Sequence, residues 1–214
     1  MIRSRARTLV GSLALVACAL AVLASCSVGS GTGSLRGSVS IADCNGTGWT
    51  EDPVDLLPDF FSADYVEDPG TPGMLRRLLT IRMQHGSFRE GDSNGMAVLV
   101  RDVNQIARES IGVPITVSSD PAAPVELTLY LNERCLSGFP RDFVRVPVVL
   151  GAVSGTITFD AVYAPDLSDT GFELAAHFED VRFEDDIRPD VRFAVMSGYF
   201  SFLYQRGRPA QRFP

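Results

Sequence analysis

Residues 92–112 read "DSNGMAVLVRDVNQIARESIG", and the spacing of their apolar side chains decides the fold class expected of the chain. Met96, Leu99, Val100, Val103, Ile106 and Ala107 recur at steps of three and four, the spacing that gathers side chains on one face of a 3.6-residue helix. Ser93 or Asn94 supplies an N-cap, and Gly112 and Pro114 supply the stop. Upstream, Thr71-Pro72 opens a second such segment, with Thr as cap and Pro at the first helical position. In "GMLRRLLTIRMQHG" (73–86), Met74, Leu75, Leu78 and Leu79 then share a face, and Gly86 ends it. The reading predicts two helices, with His85 in the last turn of the first, donating to free carbonyls there.

Beyond residue 113 the period changes to two. "VELTLYLN" (125–132) alternates Val125, Leu127, Leu129 and Leu131. "GTITFDAVY" (155–163) alternates Ile157, Phe159, Ala161 and Tyr163, and "FELAAHF" (172–178) alternates Phe172, Leu174, Ala176 and Phe178. The phase then slips to Val181 and Phe183, which predicts a bulge near Glu179-Asp180. "VRFAVMSGYFSFLY" (191–204) is apolar on both faces near its end, as in a central strand. "SVSIADC" (38–44) has the alternation of a short strand. Residues 45–72 hold four prolines and seven acids with no base, and read as a solvated acidic loop; the acids lack the spacing of an EF-hand calcium loop. The expected fold is therefore α+β. Two N-terminal helices precede an antiparallel meander of five or six strands, as a curled sheet or half-barrel, in one domain over 38–214.

Composition narrows the function classes. At 214 residues, 45% hydrophobic and 21% charged, the chain has the make-up of a globular protein. Its net charge of −7 disfavours nucleic acid, which needs a cationic stripe. All the basic residues are Arg, in keeping with a GC-rich coding sequence.

The N-terminus reads as targeting. "MIRSRAR" carries Arg3, Arg5 and Arg7, and residues 8–25 are uncharged, apolar and end in small residues. A positive stretch, an apolar run and a small-residue site make an export signal. Leu23-Ala24-Ser25-Cys26 resembles the lipobox of bacterial lipoprotein precursors; the resemblance covers the targeting segment alone. It implies cleavage after residue 25, a diacylglycerol on Cys26 and an acylated (palmitate-type) N-terminus, so that several acyl chains hold the protein to a bilayer at about 0.8 kcal/mol per buried methylene. Leu15-Val16-Ala17-Cys18 fits the same pattern and leaves Cys18 as the alternative. Ser27, rather than Asp, follows Cys26, which by the sorting rule of such lipoproteins implies the outer membrane of a Gram-negative envelope, with the domain facing the periplasm or the surface. Residues 26–37, "CSVGSGTGSLRG", then read as a Gly/Ser-rich tether. Without the signal, the charge moves from −7 to about −10, since three Arg leave.

With Cys26 acylated, Cys44 and Cys135 remain, and in an exported compartment a lone pair predicts a disulfide. Candidate chemistry is thin. His177 shares a strand face with Glu173 and Glu179, an arrangement open to general-base or metal-ligand use and equally to a polar strand face. Glu179, Asp180, Glu184, Asp185, Asp186 and Asp190 surround an expected hairpin turn. Arg206, Arg208 and Arg212 make the C-terminus basic, to dock on anionic lipid or an acidic partner, or simply to be solvated. No nucleophile elbow, P-loop, dinucleotide fingerprint or zinc-protease motif is present, and no cofactor is expected. The sequence reading favours a non-enzymatic envelope lipoprotein that binds a partner or serves an assembly. The alternative is a β-cup for a small ligand or lipid, lined by Phe159, Phe172, Phe178, Phe183, Phe193, Phe200 and Phe202. A hydrolase using His177 is the third reading.

Overall fold

The computed structural model describes residues 31–44, 48–67, 77–86, 93–132, 136–137, 144–145 and 147–204. These residues form β1 (Gly31–Ile41), β2 (Trp49–Leu56), β3 (Phe60–Glu67), β4 (Arg77–Gly86), β5 (Ser93–Val100), α1 (Val103–Glu109), β6 (Ile115–Thr116), β7 (Val125–Leu131), β8 (Leu136–Ser137), β9 (Val144–Arg145), β10 (Val148–Ala161), β11 (Glu173–Glu184) and β12 (Arg192–Leu203). Ten strands share one antiparallel sheet in the order β2-β1-β12-β11-β10-β7-β5-β4-β3, with β6 on a flank of β10. β8 and β9 pair separately.

The two edge strands, β2 and β3, are neighbours in sequence, joined only by residues 57–59. Four Cα steps from Leu56 to Phe60 span at most about 14 Å, so the ends of the sheet must approach one another and the sheet must curl. Phe61 of β3 shows the approach. Its ring lies 5.6 Å from the ring of Phe202 on β12, and a Cβ at Gly31 or Gly33 of β1 would stand within 2.8 and 3.0 Å of it. The glycines there are space for the ring. The result is a half-barrel whose concave side is a filled core.

The expectation of α+β with two N-terminal helices is overturned. Residues 77–86 are β4, paired to β3 and β5 along their length, with Leu79, Ile81 and Met83 buried on the concave face. Residues 93–100 are β5, in which Met96, Val98 and Val100 alternate inward. Only 103–109 is helical among the described residues. Asp102 accepts the Gln105 amide at 3.0 Å as N-cap, and Val103 and Ile106 are the buried pair. The start of the expected first helix, Met74 and Leu75, lies outside the described residues. Two further expectations change. Residues 31–37, read as the end of a loose tether, are the first part of β1, paired with β12 from Gly31↔Phe202 onward. The acidic stretch supplies β2 and β3, with Val54, Leu56, Phe60 and Phe61 buried.

The period-two readings hold along most of each strand; Ala161, past a register shift, and Phe172, ahead of β11, leave the buried face. β7 buries Val125, Leu127, Leu129 and Leu131, and β10, β11 and β12 form an antiparallel meander. The predicted bulge is present. Between the pairs Phe178↔Gly198 and Val181↔Met196, β11 advances three residues while β12 advances two. Asp180 sits there at φ 48°, its amide donating to Ser197 Oγ at 2.9 Å. β12 is central, between β1 and β11, but its outer face carries exposed Tyr199 and Leu203.

Candidate functional site

The aromatic side chains expected to line a cup are the first test of function. Phe159, Phe178, Phe183 and Phe200 are fully buried in one continuous apolar cluster with Phe202, so they fill the interior. Phe193 lies beneath the Arg182 guanidinium, 5.0 Å from ring to cation. Phe172 alone of the set is largely exposed. A curled antiparallel half-barrel is a shape compatible with a β-cup binding protein, but here the concave side is occupied by the protein's own rings.

His177 lies on the outer face of β11, across from Thr158 of β10 and Tyr199 of β12. Its Nδ1 stands 3.1 Å from Asp160 Oδ2. The sequence reading missed Asp160, because only the β10–β11 register, Thr158↔His177, reveals it as a diagonal neighbour. A carboxylate on Nδ1 orients an imidazole and leaves Nε2 free to accept a proton. Both side chains are about half exposed on an open sheet face, and among the described residues no hydroxyl or thiol is hydrogen-bonded to the ring. Glu173 instead accepts from Ser201 Oγ at 3.0 Å, and Glu179 is exposed beside the bulge. No group of three His, Cys, Asp or Glu that would hold a metal occurs among the described residues. His85 is not at a helix end: it closes β4, with Nδ1 2.7 Å from the Leu57 carbonyl.

The acidic hairpin after β11 is more ordered than a solvated turn. Asp185 accepts the amides of Ile187 and Arg188 at 2.9 and 3.0 Å and pairs with Arg192 at 3.2 Å. Arg192 also grips Asp43 with two nitrogens, each at 2.8 Å, and Arg188 reaches the same carboxylate. This network ties the turn after β1 to the β11–β12 hairpin. The hydrogen bond from Arg192 is the main cause that holds the Asp43 carboxyl below its usual value, against a burial cost. At Asp185 burial pushes upward, but the two amides and Arg192 outweigh it and the net shift is downward. Carboxylates lowered by folding stabilise above the unfolded value near 4, and that contribution is lost as pH falls through the folded value. Asp43→Asn is expected to cost on the order of 1 kcal/mol at pH 7. The gap in denaturant midpoint between parent and variant should narrow as pH falls below about 4, and a gap that stays constant with pH would contradict the network's role.

Two further surfaces went unread in the sequence. A groove of about 320 Å³ lies on the outer face of β7 and β10, lined by Ser118, Asp120, Glu126, Thr128, Val149 and Asp186. Glu126 is paired with Arg101 at 2.8 Å, and Asp120 accepts the Ala122 amide. At the rim where β10 and β12 end, Tyr163 gathers three rings, Tyr204 and Phe172 each at 5.0 Å and Tyr65 at 6.0 Å. The Tyr65 hydroxyl donates to the Tyr163 carbonyl across the seam of the half-barrel.

Cys44 is buried in the turn after β1 and does not carry a free thiol. Cys18, Cys26, Cys135, Arg206, Arg208 and Arg212 lie outside the described residues. No described helix is long and apolar enough to cross a membrane. The class defined so far is an antiparallel rolled sheet with a solid core and open outer faces. No family model, curated protein or solved structure matches the chain.

Proposed function

We propose that this chain is a membrane-anchored lipoprotein of the cell envelope that binds a partner or serves an assembly without catalysing a reaction. The observation that carries the proposal is the join between targeting segment and fold. Cys26, in Leu23-Ala24-Ser25-Cys26, is followed after only residues 27–30 by β1, a strand paired on both sides, to β12 and to β2. Several acyl chains on Cys26 give a stable anchor, and Ser27 favours the outer membrane of a Gram-negative envelope. The filled interior and the solitary His177–Asp160 pair on an open face support binding over chemistry. A small-ligand reading attaches to the outer groove at Asp120, Glu126 and Asp186, a concavity with room for one. Cys44 and Cys135 are proposed as a disulfide pair.

An intact mass of the protein extracted from its membrane in mild detergent tests this. The expected species begins at Cys26, carries acyl groups and is two hydrogens light for the bridge. An unacylated mass, or one beginning elsewhere than Cys18 or Cys26, overturns the anchor. A releasable small molecule would move the reading to ligand binding.

A further inference from the structure

We infer that one rim of the half-barrel, the one where β1 begins and β12 ends, rests on the bilayer surface with Phe172 and Leu203 at headgroup depth; the inference rests on acylation at Cys26. Five residue steps separate Cys26 from Gly31, so the acylated residue lies at most about 18 Å from the start of β1. Gly31 pairs with Phe202, the neighbour of Leu203, and Glu173 pairs with Leu203. Gly31, where β1 begins, therefore adjoins the start of β11 and the end of β12. Leu203 is 63% and Phe172 54% exposed, although both are large apolar side chains.

Beneath them Tyr163 packs against both Phe172 and Tyr204, each at 5.0 Å between rings. Rings with an apolar body and a polar tip suit the membrane–water interface. Exposed Ile111 and Val113 lie on the same half, held by the Gly112 amide on the Phe159 carbonyl at 2.8 Å. The opposite rim is less suited. β1 runs eleven residues from Gly31 to Ile41, about 33 Å of strand, before reaching it. That rim carries the Asp43–Arg188–Arg192–Asp185 network. Ile187, 86% exposed in its hairpin, is thereby held away from a bilayer that Cys26 enters.

The test uses the full acylated chain in phosphatidylcholine vesicles that contain lipid brominated high on its acyl chains. Tryptophan is introduced singly by Leu203→Trp or Ile187→Trp in a Trp49→Phe background. The Leu203→Trp emission should fall at least twofold with brominated lipid, and the Ile187→Trp emission should not change. Equal quenching at both positions would mean that the domain lies on its side, and quenching at Ile187→Trp alone or at neither would mean that another surface faces the lipid; each overturns the orientation. Phe172→Trp repeats the test at a ring position should Leu203→Trp fold poorly. An intact mass on the same sample separates the failures. Acylated protein without quenching at Leu203→Trp sinks the orientation alone, whereas a mass without acyl groups sinks the anchoring reading and the orientation with it.

Discussion

Phe178→Ala should destabilise the protein by about 3–5 kcal/mol, read as a large fall in the urea midpoint with little change in slope. The ring is 1% exposed and belongs to the single core cluster, so its removal leaves a cavity that neighbours on several strands cannot jointly fill. It also stands at the last regular pair before the bulge, Phe178↔Gly198. A Cβ on Gly198 would meet the Phe178 ring at 2.8 Å and the Ser34 carbonyl oxygen of β1 at 2.0 Å. The ring can retreat, but a backbone carbonyl fixed by strand pairing cannot. Gly198→Ala should therefore destabilise too, and combining it with Phe178→Leu should not restore stability. Recovery in the double variant would show that ring crowding, not the β1 backbone, sets the limit at this crossing. Phe178→Leu alone should lose clearly less than Phe178→Ala, because most of the buried volume remains.

The core that Phe178 anchors was largely legible in the sequence, and the architecture around it was not. From residue 125 onward, branched and aromatic residues alternate with polar ones, a pattern that only a strand uses well. The slip from Phe178 to Val181 marked the bulge because one extra residue shifts every later side chain to the other face. The N-terminal half misled through propensity. Arg77, Leu78, Leu79, Arg82, Met83 and Gln84 are residues that favour isolated helices. Yet Leu79, Ile81 and Met83 also recur at every second position, and pairing to β3 and β5 selected that period. In 93–109 both patterns overlap. Met96, Val98 and Val100 serve the strand, Val103 and Ile106 the helix, and Arg101-Asp102 is the hinge, with Asp102 turning out to be the cap. Ser93 and Asn94, read as a helix N-cap, instead open β5 opposite Gly86 and His85 of β4. The same limit hid Asp160 from His177 and Asp43 from Arg192. A pair separated by 17 or 149 residues becomes visible only through strand order. Glycine and serine in residues 31–37 suggested a leash, but β12 pairs with it from Gly31 and β2 from Leu35, and fix it as strand.

Cys135→Ser is the second large expectation, a loss of about 4–5 kcal/mol under oxidising conditions, since the proposed bridge to Cys44 closes a loop of about 90 residues. The sheet register supports the pairing. Ile41 of β1 lies opposite Arg192 of β12; one residue on, Phe193 lies opposite Glu184 of β11. Glu184 lies opposite Gly151 of β10, and Gly151 opposite Thr128 of β7. β1 and β7 therefore leave the sheet at the same rim. Cys44 follows three residues past Ile41, and Cys135 four residues past Leu131, so seven residue steps, at most about 25 Å, are available to cross the three strands between β1 and β7. Cys44 is buried there and is not free. In chain-entropy terms such a bridge acts mainly on the unfolded state, so its loss should not alter the fold once formed. Cys44→Ser, Cys135→Ser and the double variant should accordingly lose similar amounts, with no addition between the single changes, and reductant should lower the parent to the same level. A silent Cys135→Ser beside a damaging Cys44→Ser would assign Cys44 another partner. It would also cut β7 out of the restraint that holds the rim opposite the proposed anchor.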